Sequence, residues 1–234
     1  MAYLKTLQRI TSLRDSQTDP DYTLFKGIRE FIEPFKTKKW NSILDFGAGN
    51  LPYKSLFDHN HYIAVDVEQN EDRTIDIIII PNSNLPIQAD SIDLILCMDV
   101  LEHCENINIV LGELHRVLNI GGTLLMSVPF MYREHEMPYD FARYTSSALT
   151  HLLKSHGFKN IELSKCGNYY FTLYSLWNES IIKSGETLKQ LGIFQKIIRK
   201  FITLILPLLN RTIFSTPPSF DDSIYHHILI SAKK

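Results

Sequence analysis

An α/β domain built on a mostly parallel sheet is the fold class this sequence predicts. Three observations predict it. Short apolar runs, of the kind that form strands buried on both faces, recur along the first two-thirds of the chain. Segments with helical spacing of apolar residues separate them, so strands and helices alternate. The 234 residues, 44% of them hydrophobic, suit one large domain or a domain with an appendage.

The elements follow in order. Tyr22–Lys39 places Leu24, Phe25, Ile28, Phe31, Ile32 and Phe35 at helical spacing, which Pro34 disturbs or ends. Ser42–Phe46 is a short apolar run closed by Gly47-Ala48-Gly49, the pattern of a buried strand with a glycine turn at its carboxyl end. Leu51–His59 reads as the next helix, with Pro52 tolerated in its first turn. Tyr62–Val67, β-branched Thr74–Ile80 and Ser91–Met98 read as the second, third and fourth strands. A helix from about Glu105 to Leu118 shows one apolar face, Val110, Leu111, Leu114, Val117 and Leu118, with Gly121-Gly122 as its stop. Thr123–Pro129 is a fifth strand. Ser146–His156 is helical, with Thr145 or Ser146 as N-cap and Gly157 at its end. Asn160–Ser164 and Ile224–Ala232 complete the strands, and Tyr169–Asp222 between them is helical and then Pro-rich at Pro217-Pro218. The organisation is therefore an N-terminal segment at 1–20, a core at 21–168, a helical insertion or cap at 169–222 and a last core strand at 223–234.

Composition excludes several classes. With 24 Lys+Arg against 26 Asp+Glu the formal charge is −2, which removes the electrostatic case for a nucleic-acid binder. Cys97, Cys104 and Cys166 form no C-x-x-C pair and read as reduced thiols. Met1–Asp19 lacks an apolar secretory core, and no apolar run reaches the roughly 20 residues that span a bilayer. The expectation is a cytoplasmic protein. Residues 193–209 put Phe194, Ile197, Ile198, Phe201 and Ile205 on one helical face, with Lys196, Arg199 and Lys200 on or near the other. That pattern fits a pocket cap or a dimer contact, or a helix lying on the inner face of an anionic membrane.

The sharpest local signal is Ile43–Asn50. Its two glycines let the backbone pass close to a ligand. Asp45 can hold amide groups or, through water, an ammonium. Asp66, at the end of the next strand, is placed to accept both hydroxyls of a ribose. Pro52 occupies the third position of a G-x-G-x-x-G fingerprint, which argues against NAD or FAD and leaves an adenosine-type ligand without phosphates.

At this point the chain resembles the class I S-adenosylmethionine-dependent methyltransferases, and most closely their type-11 branch. Ile43–Asn50, Ile63–Asp66, Leu85-Pro86, Ser91–His103, Glu113–Gly122 and Leu124–Pro129 fall in the family's order and spacing, over roughly residues 41–158. Pro129–Thr145 is similar to methyltransferases that accompany polysaccharide or lipid-linked glycan genes. The resemblance implies a Rossmann-like seven-stranded sheet with an antiparallel last strand, S-adenosylmethionine as cofactor, and methyl transfer, an O-methylation, to a small molecule or glycan. A cofactor-binding sensor or partner subunit without turnover is the alternative. Carried over position by position, Asp45, Gly47, Ala48 and Gly49 form the loop for the amino-acid half of the cofactor. Asp66 and Val67 mark the ribose end, and Cys97 and Met98 line the methionine part. Where the family has an acid for adenine this chain has Pro81, so Asn82 or a backbone group replaces it. Asn50 stands where the family often has glycine.

Methyl transfer needs an aligned nucleophile, exclusion of water and, for a protonated nucleophile, a base. His135 is the first choice, in a polar loop with Tyr132, Arg133, Glu134 and Glu136. Asp140 and Arg143 are either catalytic or an ion pair that pins this loop. Tyr132, Tyr139 and Tyr144 either line an acceptor or pack a lid. His103 beside Glu102 faces the cofactor or sets a helix start. No ligand cluster at zinc spacing accompanies His103-Cys104, so no metal is expected. His226-His227, in the predicted last strand, receive no function.

Overall fold

Seven strands form one sheet in the computed structural model, which describes residues 13, 15–184, 193–214 and 223–234. Most of the N-terminal segment, and Pro217-Pro218, lie outside those residues. The strands are β1 (Trp40–Phe46), β2 (His59–Asp66), β3 (Ile77–Ile78), β4 (Ile92–Met98), β5 (Leu118–Pro129), β6 (Lys159–Cys166) and β7 (His227–Lys233). Their order is β3-β2-β1-β4-β5-β7-β6. The first five pair in parallel, and β7 runs antiparallel to both of its neighbours. Strand order turns back at β1 and β4, and such a switch opens a crevice at the carboxyl ends.

Alternation along the strands builds three layers. Ile43, Leu94, Leu96, Leu125 and Leu229 face α1 (Tyr22–Lys36), together with Phe171 of α4 (Tyr169–Ser184) and Leu206 of α5 (Ile193–Arg211). Their neighbours Leu44, Ile95, Cys97, Leu124, Met126, Ile228 and Ile230 face the other way. There they meet Val110, Leu111, Leu114 and Val117 of α2 (Ile107–Val117) and Leu149 and Leu153 of α3 (Ser146–Ser155). Each fully buried Leu or Ile stabilises by roughly 1.5–3 kcal/mol. Side chains cap both helices of this second layer. Asn106 accepts from the Ile109 N–H, and Thr145 accepts from the Ala148 N–H at 3.2 Å.

Three local expectations are corrected. The segment predicted helical at 51–59 forms only a 3-10 turn, Lys54–Leu56, because β2 begins at His59 to pair with Trp40. The third strand shrinks to Ile77–Ile78, preceded by Asp76, whose carboxylate accepts from the Ala64 N–H at 2.8 Å. Gly121-Gly122 do not end α2, which stops at Val117. They lie in β5, where the register passes from Leu118 to Thr123 while β4 advances only from Ile92 to Leu94. The surplus residues bulge, and Asn119 donates to Asp93 at 2.6 Å across the irregularity. Pro34 stays inside α1, two residues before its end.

Candidate functional site

The turn after β1 is fixed by its backbone. Gly47 and Gly49 have φ of +76° and +53°, values that glycine adopts without strain. A Cβ on Gly47 would stand 2.4 Å from Val100 Cγ2, so the segment leaving β4 already fills the space beside it. The N–H groups of Gly47 and Ala48 donate to the Val65 carbonyl at 2.8 and 3.0 Å. Those of Gly49 and Val67 donate to the two carboxylate oxygens of Asp66, at 2.9 and 2.7 Å. A carboxylate offers about four lone-pair sites, so further acceptor capacity remains on Asp66.

Asp45, at the carboxyl end of β1, is buried and accepts a hydrogen bond of 2.5 Å from the Tyr62 hydroxyl. Burial raises its pKa to about 7, with Tyr62 opposing and Asp66 adding to the rise. Cys97 and Met98 are buried at the end of β4. Asn82 lies exposed past β3 at φ +63° and donates to Glu105 at 3.4 Å. Val67 and Ile80, also past these strand ends, are 53% and 77% exposed. This donor set fits an adenosine-type cofactor. It offers carboxylates for hydroxyls and an ammonium, and exposed apolar surface for a ring. No basic side chain occurs at 45–50 for a phosphate.

A second cluster forms at the ends of β4, β5 and β7. Asp99 follows β4 at φ +55°, uncommon for a non-glycine residue. It accepts from Ser127 Oγ at 2.7 Å and faces His227 Nε2 at 3.4 Å. Burial works to raise its pKa, but His227 and Ser127 outweigh it and the net shift is downward. A chain of contacts continues from there: His227 Nδ1 to His226 Nδ1 at 2.6 Å, and His226 Nε2 to Ser175 Oγ at 2.8 Å.

The loop after β5 brings the remaining residues. Arg143 grips both oxygens of Asp140, at 2.5 and 2.7 Å, and donates to the carbonyls of Arg133 and Ala142. The ion pair weighed from the sequence is therefore formed, and it ties the loop to the start of α3. Asp140 also accepts from the His135 N–H at 2.8 Å and lies 3.3 Å from His135 Nδ1. Burial pushes the His135 pKa down to about 4, and His103 and Arg143 add to the shift. The ring of Tyr132 stands edge-on to His135 and also contacts His226 and His227.

Tyr132, His135 and Asp140 are thus one unit, while Asp45, Gly47, Ala48, Gly49, Asp66 and Val67 form another at the neighbouring strand ends. Asp99, Glu102, His226 and His227 were assigned nothing, or only a structural role, by the sequence. The signal that could have found the last of them is register: His227 pairs with Pro129, which sets it at the carboxyl end of β5.

Residues 44–126 match the family model of a methyltransferase domain. An uncharacterized protein of Methanocaldococcus jannaschii is 28% identical over 138 residues, 52% of this chain and 66% of that protein. A second from the same organism is 30% identical over 115 residues, 46% of this chain and 49% of that protein. The matched stretch spans just under two thirds of the first relative's length and about half of the second's. Among solved structures, the (4+2)-cyclase SpnF aligns with a TM-score of 0.57 at 14% identity, over 89% of this chain and 80% of its own. A Haemonchus contortus phosphoethanolamine N-methyltransferase in complex with S-adenosyl-L-methionine aligns at 0.54 and 14%, over 97% and 61%. An S-adenosylmethionine-dependent methyltransferase from Archaeoglobus fulgidus aligns at 0.51 and 16%, over 89% and 92%. At these identities the structural likeness is one of fold.

Proposed function

We propose that the chain is a class I S-adenosylmethionine-dependent methyltransferase, a reading supported by the methyltransferase-domain match at residues 44–126, and that it methylates an oxygen of a small molecule or lipid-linked glycan. One observation carries this reading. The glycine turn and Asp66, suited to an adenosine-type cofactor, sit at strand ends next to a second cluster of aromatic and proton-accepting side chains. S-adenosylmethionine, when bound, supplies the electrophilic methyl. Asp66 would hold the ribose, Asp45 the amino group through water, and Asn82 the adenine edge, with Val67 and Ile80 beside the ring. The loop 47–49 and Cys97-Met98 would line the methionine part.

On the acceptor side, Tyr132 and His135 contact the substrate. His135 is neutral at physiological pH, so its ring offers a lone pair rather than a charge. Asp140 is a positioning residue. It holds the His135 backbone and ring, and is itself held by Arg143.

The test is formation of S-adenosylhomocysteine with small acids, free sugars and lipid-linked glycans as acceptors. Turnover with a hydroxyl-bearing acceptor is expected. Tight cofactor binding without turnover on any class would favour a non-catalytic sensor. Turnover has to be measured because the fold itself is shared with a cyclase.

The lipid-linked acceptor has its own support. Ile193, Ile197, Phe201, Leu204 and Leu208 of α5 are exposed and recur at helical spacing on one face. No helix among the described residues is long and apolar enough to cross a membrane, so contact would be peripheral. Sedimentation with anionic vesicles, lost in Phe201→Asp, is the expected result. A wild-type protein that stays in the supernatant at low salt overturns it.

A further inference from the structure

Glu102 presents a problem that the cofactor site does not solve. It sits in the 3-10 turn Leu101–His103 after β4, its side chain is fully buried, and neither carboxyl oxygen has a hydrogen-bond partner among the described residues. A buried carboxyl left without partners is costly when neutral and far more so when ionised. Such a group calls for an explanation, and a bound ion is one.

The surroundings say which ligand. His103 Nε2 lies 3.8 Å from Glu102 Oε1 and 3.7 Å from Glu136 Oε2. The other nitrogen of His103, Nδ1, is 2.8 Å from the Tyr139 carbonyl, which fixes the proton on Nδ1 and leaves the Nε2 lone pair facing the carboxylates. His135 stands edge-on to His103 with ring centres 4.7 Å apart. Its Nδ1 has Asp140 Oδ2 at 3.3 Å and the Arg143 guanidinium at 3.4 Å. Arg143 is already bonded to Asp140 through two nitrogens, so Asp140 is the better partner for an Nδ1 proton. Two histidines whose second nitrogens rest on a carbonyl and a carboxylate are oriented as metal ligands are oriented.

We propose that Glu102, His103 and His135 form a site for a borderline divalent cation of the zinc class, with an open coordination position for the methyl acceptor. One potential donor atom from each of the three residues already lies within 4.8 Å of the other two. Bonds of about 2.0–2.1 Å need donors roughly 3.3 Å apart, a closure of up to about 1.5 Å from the spacing present. Two imidazoles and one carboxylate select zinc, cobalt or iron over magnesium or calcium. The residue types escape a spacing search because 32 positions separate His103 from His135 and only the fold joins them.

The consequence for chemistry rests on the methyl-transfer reading. A hydroxyl held on the ion loses its proton to water more readily, which leaves an oxygen nucleophile without a strong protein base. The binding of the ion does not depend on that reading.

The experiment is calorimetric titration of the whole chain with Zn²⁺, and with Co²⁺ followed by visible absorption, in the absence of methyl donor and acceptor. One ion per chain with micromolar or tighter affinity is expected. His103→Ala, His135→Ala and Glu102→Gln should each weaken it at least tenfold, and the double histidine variant at least a hundredfold. His61→Ala, at an exposed histidine on β2, should leave it unchanged. Thermal melts confirm that each variant is folded, and His103→Gln replaces His103→Ala if the latter is not. No stoichiometric binding by the folded wild-type protein, or binding that survives in the double variant, overturns the proposal. Absent turnover with intact metal binding would instead overturn the methyl-transfer reading.

Discussion

The two halves of the strand-end crevice are built by opposite means. On the β1–β2–β3 side the functional groups are few, close in sequence and tied to the main chain. Asp66 receives two amide protons, and the glycine turn hangs from the Val65 carbonyl. On the β4–β5–β7 side the groups are many, come from segments 125 residues apart (102 to 227), and touch through side chains. A backbone-built half can be rigid before its ligand arrives. A half built from imidazoles, carboxylates and a tyrosine holds its shape only while every partner is present.

The largest expected effect tests the second half. His135→Ala should lower turnover about 10²–10⁴-fold while S-adenosylhomocysteine affinity changes by less than a factor of about three. Single-turnover rates at saturating cofactor, with calorimetry alongside, separate the two quantities. An equal loss in both would mean that the halves are not independent.

Gly47→Val breaks the comparison from the other side. The φ of +76° disfavours any Cβ, and that Cβ would collide with Val100, two residues before Glu102. Cofactor affinity should fall by more than about a hundredfold, which corresponds to roughly 3 kcal/mol. Because Val100 belongs to the segment that carries Glu102 and His103, this variant should also disturb the second half. Asp66→Ala should not. It removes charged hydrogen bonds worth about 1.5–3 kcal/mol, so affinity should drop roughly ten- to a hundredfold with a folded, otherwise normal acceptor side. Unchanged affinity in a folded Asp66→Ala protein would take Asp66 out of the site.

The same contrast explains what the sequence disclosed. Asp45, the glycine turn and Asp66 are legible because a strand, a tight turn and the next strand end are adjacent in the chain, and each has a local signature. A mostly parallel sheet was legible from the alternation of apolar runs and helices, and its seven strands with an antiparallel last one from the resemblance; the strand order was not. The bulge at 119–122 was not, because a glycine pair after a helix reads equally as a helix stop. Nor was the Glu102–His103–His135 cluster, whose members lie in a turn and a loop without periodicity. His226-His227 were visible as residues, but their meaning depends on the β5–β7 register, a long-range pairing that no local pattern specifies.

The smallest effect concerns Asp45, and its sign follows from burial. The folded, cofactor-free protein holds this carboxyl at about 7 rather than 3.8, chiefly by desolvation, with Tyr62 opposing. The native state therefore keeps a proton that the unfolded chain gives up near pH 4. Stability from this group is present below that point and is lost as pH rises through 7, by an amount on the order of 4 kcal/mol at most. An ammonium bound nearby reverses the preference, because it favours the ionised carboxylate. Cofactor affinity should then rise about tenfold between pH 6 and pH 8 and level off above, with close to one proton released per molecule bound at pH 6. Calorimetry in buffers of different ionisation enthalpy counts that proton. Asp45→Asn should flatten the pH dependence and raise the melting temperature of the cofactor-free protein at pH 8, since the amide carries no charge to bury. A pH-independent affinity in the wild type would mean that Asp45 serves only Tyr62 and the turn. The first half of the crevice would then hold its ligand by Asp66 and main-chain groups alone.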